Sequence, residues 1–280
     1  MIQPLLLCTD LDRTLIPNGT EPESPEARER FRRLVANPAI TLAYVSGRDL
    51  GLVESAITHY ALPRPDYLVG DVGTSLYARV ADDWQPVEEW ATEISKHWGE
   101  EGRARIRELF AEQPALRPQE PEKQGRFKLS YYTATDIDPD RLRSELSAIL
   151  SDAAIPASLI WSLDALDGVG LLDVLPEQAT KFHAVDFLMR KLDLDHRATL
   201  FSGDSGNDLE VLTSHIPSVL VANAHPRVRQ EALARSKEHG FEDRLYCASG
   251  DWQGMNGNYS AGILEGVGHF RPDLIPLMAP

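Results

Sequence analysis

Two aspartates, Asp10 and Asp12, stand two positions apart directly after a short apolar run. An ionised carboxylate can attack phosphorus without first losing a proton, so Asp10 could form an aspartyl phosphate. A second carboxyl group could protonate the departing alcohol oxygen and later deprotonate the attacking water, and Asp12 is suited to that exchange. Taken alone, the pair equally fits a turn or a helix cap, because aspartate is common in both.

Two further polar groups could complete a phosphate site. Ser46, Gly47 and Arg48 follow the next apolar run, where a hydroxyl and backbone amides could hold phosphoryl oxygens. The same tripeptide also suits a plain turn. Lys181 opens a predicted helix, although a cation is disfavoured at the positive end of the helix dipole. This lysine could hold Asp10 and the phosphoryl group together, or it could be an exposed lysine at a helix start.

The segment Ser202-Gly203-Asp204-Ser205-Gly206-Asn207-Asp208 places two glycines and two carboxylates just after a predicted strand. Magnesium prefers oxygen ligands, with one or two carboxylates and several waters. Asp10, the backbone carbonyl of Asp12 and Asp204 would form such a set, with Asp208 behind it. The alternative is an acidic loop that caps the next helix.

These residues need a framework that brings distant parts of the chain together. Apolar runs alternate with helical spacing near both ends of the sequence, which predicts an α/β fold with a parallel sheet. Ligands of such folds bind beyond the carboxyl ends of the strands. The predicted strands are 5–9, 41–45, 67–69, 127–133, 159–163, 171–175, 198–201 and 218–222. The predicted helices follow an N-cap at Ser24, begin near Leu50, Pro139 and Lys181, and include 263–267.

The sequence pattern changes from about residue 82. Beyond that point come Trp84, Trp90 and Trp98, charged helical segments, and prolines between 114 and 121 that predict irregular structure. Predicted strands and a predicted helix follow, and after them the alternation of strands and helices resumes. We therefore predict a discontinuous Rossmann-like core of residues 1–81 and 175–280, with a smaller α+β cap domain of residues 82–174 inserted into it.

Composition narrows the range of partners. A formal net charge of -15 would repel nucleic acid and anionic lipid surfaces, so neither a nucleic-acid nor a membrane partner is expected. No stretch approaches the ~20 apolar residues that span a bilayer, and the first apolar run lacks the features of a signal peptide. Two cysteines, Cys8 and Cys247, do not make a disulfide framework. The chain is expected to be a cytoplasmic monomer or weak homodimer that acts on a small phosphorylated molecule.

In their order and positions, D-L-D-R-T, S-G-R, Lys181 and G-D-S-G-N-D resemble the four motifs of the haloacid dehalogenase superfamily. The resemblance implies a Mg²⁺-dependent phosphatase that forms an aspartyl-phosphate intermediate, and the insert resembles the superfamily's type-two cap. The implied residues are the nucleophile Asp10, the acid and base Asp12, the phosphate ligand Ser46, the motif lysine Lys181 and the acidic pair Asp204 and Asp208.

More narrowly, V-G-D-V-G-T-S-L-Y, F-K-L-S-Y-Y, L-L-D-V-L-P and the terminal G-I-L-E-G-V-G-H-F resemble the sucrose-phosphate phosphatase branch. In that branch a lysine and a serine of the cap help to hold the sugar, which implies Lys128 and Ser130. Lys128 could instead be an exposed cation of an edge strand. Further candidate substrate contacts are Arg48, Asn207 and Asp173.

Two features depart from that branch. Arg13 occupies a position where the family usually has a small residue or asparagine, and the glycine- and asparagine-rich segment 250–259 resembles an insertion before the terminal helix. Both bear on substrate choice, although neither touches the nucleophile.

This resemblance implies hydrolysis of sucrose 6-phosphate to sucrose and phosphate. Similar enzymes act on mannosylfructose phosphate or glucosylglycerol phosphate, so these substrates are alternatives. A phosphohexomutase would share the core and cap but return the phosphoryl group to a sugar. A signalling receiver would accept phosphate only to change partner binding, and its usual single small domain argues against it here.

Overall fold

The computed structural model describes residues 2–96, 98–164 and 168–279. Its strands are β1 (Leu5–Thr9), β2 (Ile40–Val45), β3 (Tyr67–Gly70), β4 (Ser75–Val80), β5 (Asp83–Pro86), β6 (Arg117–Pro118), β7 (Leu129–Thr133), β8 (Ala157–Asp164), β9 (Val169–Pro176), β10 (Thr199–Gly203), β11 (Ser218–Leu220) and β12 (Leu245–Cys247). Its α-helices are α1 (Ala27–Val35), α2 (Leu50–Tyr60), α3 (Glu88–Ser95), α4 (Gly99–Phe110), α5 (Pro139–Asp152), α6 (Lys181–Lys191), α7 (Leu209–Leu212), α8 (Pro226–His239) and α9 (Ser260–Phe270).

The larger sheet has the strand order β12-β11-β10-β1-β2-β3-β4-β5. The pairs from β12 to β3 are parallel, whereas β3–β4 and β4–β5 are antiparallel. Strand β1 lies in the interior of the sheet and every one of its residues is buried, which explains its unbroken apolar run. The predicted α/β fold with a parallel-sheet core is confirmed.

The smaller sheet has the order β6-β7-β9-β8, and its pairs are antiparallel. Helix α5 contacts β8 and buries Leu142, Leu146 and Leu150, which recur at helical spacing. Pro139 stands at the first helical position as predicted, and the Asp138 side chain accepts hydrogen bonds from the first backbone amides. The four strands of the smaller sheet all lie between β5 and α6 in the chain.

The division into residues 1–81, 82–174 and 175–280 stays a prediction. The proposed boundary after residue 81 falls inside an antiparallel hairpin, because Asp83–Pro86 pairs with β4 of the larger sheet. Residues 97 and 165–167 of the proposed cap lie outside the described part of the chain.

Two local predictions are wrong. Ser24 does not cap α1: the helix begins at Ala27, and the Ser24 hydroxyl donates to Asn256 Oδ1 at 2.8 Å. The proline-bearing stretch 114–121 is not wholly irregular, because Arg117–Pro118 forms a short edge strand beside β7. An edge strand tolerates proline since one side of its backbone needs no partner.

Helix α9 fits against the sheet through its glycines. A Cβ built on Gly266 would lie 2.1 Å from Val219 Cγ2 on β11, and one on Gly268 would lie 2.6 Å from the Trp252 ring. Only hydrogen fits at such separations, so the glycines set the close approach of helix and sheet. Within the described residues, every helix is too short or too polar to cross a bilayer.

Candidate active site

The candidate site forms where three neighbouring strands end. Asp10 follows β1, Ser46 follows β2, and Asp204 follows β10, which pairs with β1 on its other side. Because these strands run parallel, their carboxyl ends lie at one edge of the sheet. The Asp10 amide donates to the Ser202 carbonyl at 2.9 Å, which extends the β1–β10 pairing to the site itself.

Lys181 joins two of the carboxylates. Its Nζ lies 3.1 Å from Asp10 Oδ1 and 2.7 Å from Asp208 Oδ1, and it donates to Asn207 Oδ1 at 3.2 Å. Its side chain is only 1% exposed. Burial lowers the pKa of Lys181, but Asp10 and Asp208 outweigh it and hold the pKa above its ordinary value. The structure thus brings Lys181 onto the predicted nucleophile, as the sequence suggested.

The fit to a divalent cation follows from the donors of the acidic cluster. One carboxylate oxygen from each of Asp10, Asp204 and Asp208 lies within 4.8 Å of the others, and all three residues are buried. Burial, reinforced by Asp208, raises the pKa of Asp204 to about 7, and burial likewise raises the pKa of Asp10. Buried carboxylates at such spacing need compensating positive charge, and oxygen-rich sites of this kind suit a hard cation. The residues present therefore fit a Mg²⁺ ion.

Asp208 is fixed by its own loop. Its Oδ2 accepts hydrogen bonds from the backbone amides of Asp204 and Ser205, each at 3.1 Å, while its Oδ1 faces Lys181. A Cβ on Gly203 would lie 2.6 Å from Asp208 Cγ, so glycine is needed at that position. Asp208 therefore positions the loop that carries Asp204.

Asp12 lies against Arg48 in a two-pronged ion pair. Arg48 Nε donates to Asp12 Oδ2 at 2.8 Å and Arg48 Nη2 donates to Asp12 Oδ1 at 2.6 Å. Asn18 Nδ2 donates to Asp12 Oδ1 as well, at 2.6 Å. Burial raises the pKa of Asp12, but the bonds from Arg48 and Asn18 outweigh it and the pKa lies below its ordinary value. In this conformation Asp12 is an ionised carboxylate whose orientation Arg48 fixes.

Ser46 and Gly47 lie where β2 turns toward α2. The Ser46 amide donates to the Val69 carbonyl at 2.9 Å, and its hydroxyl accepts from the Arg48 amide at 3.2 Å. A Cβ on Gly47 would only touch Val72 at 3.9 Å, so space alone does not require glycine there. Ser46 is 1% exposed.

A second polar group comes from the smaller sheet. Ser130 Oγ donates to Asp173 Oδ1 at 2.5 Å across the β7–β9 pair. Burial raises the pKa of Asp173, while the nearby Lys128 ammonium and the Ser130 bond oppose the rise. Lys128 lies in the turn just before β7, not within a strand as predicted, and its Nζ lies 3.0 Å from Asp71 Oδ1. These sugar-binding candidates therefore form one polar group that faces the larger sheet.

Asp71 is the residue that sequence reasoning missed. Asp71 follows β3, whose carboxyl end lies at the same edge of the sheet as those of β1 and β2. Its position directly after a predicted strand could have identified it from the sequence. Asp71 and Val72 have positive φ angles of 51° and 62°, which few residues other than glycine adopt. A Cβ on Gly73 would lie 2.5 Å from the Thr180 carbonyl carbon. The loop therefore packs directly on the start of α6, beside Lys181.

Two of the eight histidines of the chain lie on helices α6 and α9. His183 Nδ1 contacts Thr180 Oγ1 at 2.9 Å near the start of α6, and His269 stacks on Tyr246 with ring centroids 4.4 Å apart. Neither belongs to the acidic cluster of the described residues.

Comparison with known proteins identifies the family to which the chain is related. The family model described as "Sucrose-6F-phosphate phosphohydrolase" matches residues 3–271. A protein of Nitrosococcus oceani with the name "Putative HAD-like hydrolase" is 51% identical over 98% of this chain and 73% of its own length. The mannosylfructose-phosphate phosphatase of Agrobacterium fabrum is 30% identical over 91% of this chain and 97% of its own length.

Among solved structures, the sucrose-phosphatase of Synechocystis in complex with sucrose and phosphate superposes with a TM-score of 0.74 and 26% identity. The match covers 96% of this chain and 98% of that one. The chain spans 59% of the length of sucrose-phosphatase 1 of Nicotiana tabacum, which it also matches.

Proposed function

The chain belongs to the sucrose-6F-phosphate phosphohydrolase family, and on this premise we propose that it hydrolyses a sugar phosphate through an aspartyl phosphate formed on Asp10. The family places it among the phosphoric monoester hydrolases. The strongest support for this mechanism is the position of Asp10. Asp10 lies 3.1 Å from Lys181 within a buried acidic cluster, with Asp12 two residues further along the chain.

In the first step, an Asp10 carboxylate oxygen attacks phosphorus and the bond from phosphorus to the sugar oxygen breaks. Lys181 neutralises charge on Asp10 and the phosphoryl group, and Ser46 donates to a phosphoryl oxygen. Asp12 enters this step protonated and gives its proton to the departing sugar oxygen. Because Arg48 holds Asp12 ionised in the present conformation, that bond must open before the proton is taken up.

In the second step, Asp12 removes a proton from water, which attacks phosphorus and displaces the Asp10 carboxylate. Inorganic phosphate leaves and Asp12 is again protonated for the next cycle. Asp10, Asp204 and the Asp12 backbone carbonyl would hold Mg²⁺, with Asp208 behind them. The ion, when bound, supplies positive charge that offsets the charge on the phosphoryl oxygens.

The polar group of the smaller sheet supports a sugar as the leaving group. Lys128, Ser130 and Asp173 offer donors and an acceptor suited to hydroxyl groups. Asn207 and Arg48 lie beside the phosphate residues, where Asn207 accepts a hydrogen bond from Lys181 and Arg48 pairs with Asp12. We propose sucrose 6-phosphate as the preferred substrate. Mannosylfructose phosphate and glucosylglycerol phosphate are the alternatives.

The remaining expectations belong to this proposal too. An inserted cap within residues 82–174 would close over the substrate and exclude water from the phosphoryl group. The net negative charge would repel nucleic acid, and we propose a cytoplasmic enzyme that is a monomer or weak homodimer.

A phosphate-release screen tests the proposal directly. Purified protein is given sucrose 6-phosphate, mannosylfructose phosphate, glucosylglycerol phosphate and simple hexose phosphates, with Mg²⁺ or with a chelator. We expect free phosphate only with Mg²⁺, and the highest kcat/KM with sucrose 6-phosphate. A preference for another sugar phosphate would overturn the substrate but not the reaction. Transfer of the phosphoryl group to a second hydroxyl of the sugar, without free phosphate, would instead identify a phosphohexomutase.

A further inference from the structure

The two departures from the family pattern, Arg13 and the segment 250–259, are physically joined. Asn223 stands between them: its Nδ2 donates to the Arg13 carbonyl at 2.6 Å, and its Oδ1 accepts from the Tyr259 amide at 2.9 Å. Asn18 Oδ1 accepts from the Arg13 amide at 2.8 Å on the other side. These bonds fix a backbone whose φ at Arg13 is 57°, a left-handed value that a non-glycine residue rarely adopts unaided.

The fixed backbone points the Arg13 guanidinium at the acidic cluster. Arg13 Nε lies 3.3 Å from Asp204 Oδ2, and Arg13 Nη2 donates to the Asn223 carbonyl at 3.1 Å. Thr14 Oγ1 donates to Asp204 Oδ1 at 3.1 Å. Both carboxylate oxygens of Asp204 thus already face a donor, and one of these donors carries a full positive charge.

The segment 250–259 also stabilises this arrangement, through Tyr259. Tyr259 is fully buried, and its hydroxyl donates to the Glu21 carbonyl at 3.1 Å and lies 3.3 Å from Glu21 Oε2. Glu21 Oε2 in turn lies 3.8 Å from Arg13 Nη2. The segment therefore contacts Arg13 indirectly in two ways, through Asn223 and through Glu21.

We propose that Arg13 is a positioning residue, held by the segment 250–259, that occupies Asp204 and weakens the affinity of the acidic cluster for divalent cations. The guanidinium competes for Asp204 Oδ2 and repels a second cation nearby. The Arg13 side chain is 41% exposed, so solvent and salt reduce the effect without removing it. This inference rests on the proposed metal site. Its consequence is an enzyme that releases its metal more readily than a relative with asparagine or a small residue at this position.

Calorimetric titration of Mg²⁺ into the metal-free 280-residue chain measures the effect without using turnover. Arg13→Gln removes the charge but keeps a long polar side chain, and we expect it to tighten the Kd for Mg²⁺ by roughly threefold to tenfold. Arg13→Lys keeps the charge and is expected to stay within about twofold of the wild type. The Mg²⁺-induced rise in Tm provides a second measure, since a ligand that binds only the native state raises Tm.

A second variant tests the link to the inserted segment. Tyr259→Phe keeps the buried ring and loses the hydroxyl contacts with Glu21, so it should shift the Kd in the same direction as Arg13→Gln but less. Added to Arg13→Gln, it should cause no further shift, because the charge it helps to position is already absent.

The possible results distinguish this inference from the proposed function. If the wild type binds Mg²⁺ and Arg13→Gln binds it equally or more weakly, this inference is wrong and the proposed function stands. If the wild type shows neither binding heat nor a rise in Tm with Mg²⁺, the proposed metal site is wrong and the inference goes with it.

Discussion

Lys128 Nζ lies 3.0 Å from Asp71 Oδ1, and this ion pair joins the turn before β7 to the loop after β3. The Lys128 and Asp71 side chains are only 12% and 18% exposed, so solvent screens the pair less than it would a surface pair. Asp71 is also held by Ser75, whose hydroxyl donates to Asp71 Oδ2 at 3.0 Å. The pair therefore links the two sheets at the point where the proposed sugar contacts lie.

Breaking this pair from either side should have different effects on substrate binding. Lys128→Met removes the proposed sugar contact, and loss of a hydrogen bond from a charged group should raise KM about tenfold while kcat changes less. Asp71→Asn keeps an oxygen for Ser75 but removes the charge that competes for Lys128, so KM should not rise. Steady-state phosphate release with the best substrate measures both. An equal rise of KM in both variants would mean that Asp71 itself binds the sugar.

Asp10→Asn should abolish phosphate release while the fold survives. The amide has nearly the shape of the carboxylate but is a poor nucleophile, so no aspartyl phosphate forms. Asp243→Asn, at a carboxylate whose side chain is 75% exposed, is the matched control and should keep wild-type activity. Single-turnover phosphate release and circular dichroism check both. Turnover by Asp10→Asn at more than about a hundredth of the wild-type rate would exclude the covalent mechanism.

The sequence predicts that three candidate residues lie close together, because the topology of a parallel sheet places them at one edge. Asp10, Ser46 and Asp204 each follow an apolar run, and parallel strands bring their carboxyl ends to one edge of the sheet. Lys181 was found from its unusual place at a helix start, although nothing in the spacing reveals that it lies within 3.1 Å of Asp10. The types and order of the residues were thus enough to predict which of them lie together, while their roles stay a prediction.

The rest depends on contacts between distant parts of the chain, which local patterns do not encode. Ser24 has the sequence of an N-cap, yet its hydroxyl bonds to Asn256, 232 positions away. Arg13 and the segment 250–259 are two separate departures in the sequence, and only the fold shows that Asn223 connects Arg13 to Tyr259 of that segment. Strand β5 was assigned to the insert because its composition resembles that of the residues after it, whereas its pairing partner β4 precedes it.

Lys181→Met should destabilise the metal-free protein strongly. It would leave Asp10 and Asp208 buried without their shared cation, and breaking a buried pair from one side typically costs about 3–5 kcal/mol. Lys191→Met is the matched control at the other end of α6, where the pair with the exposed Glu89 should contribute far less. Urea unfolding gives both free energies. Similar losses in the two variants would show that Lys181 is not the main counter-charge of the cluster.

Asp173 should make stability depend on pH in a definite direction. Burial raises the pKa of Asp173 from its ordinary 3.8, so the folded protein holds this proton more tightly than the unfolded chain does. Its contribution to the free energy of unfolding therefore falls as pH rises from about 3.8 through the raised value. Asp173→Asn cannot titrate and keeps an oxygen for Ser130, so its stability should fall less as the pH rises above 3.8.

Urea unfolding of the wild type and Asp173→Asn at several pH values measures that difference. Asp152→Asn, at an exposed carboxylate on α5, is the control. If the wild type and Asp173→Asn lose stability equally over this range, Asp173 is not the group responsible.

Gly73→Ala should reduce both stability and activity, because the loop after β3 touches the start of α6. The φ angle of Gly73 is 116°, and the new Cβ would lie 2.5 Å from the Thr180 carbonyl carbon, so the loop or the helix start must move. A strained backbone position costs about 1–3 kcal/mol, and displacement of Thr180 would also move Lys181 away from Asp10. We expect a loss of at least about 2 kcal/mol in the free energy of unfolding together with a lower kcat. Gly102→Ala, on α4 where a Cβ meets no atom within 4 Å, should instead stabilise the protein by up to about 1 kcal/mol. A Gly73→Ala enzyme with wild-type kcat would show that the loop does not position Lys181.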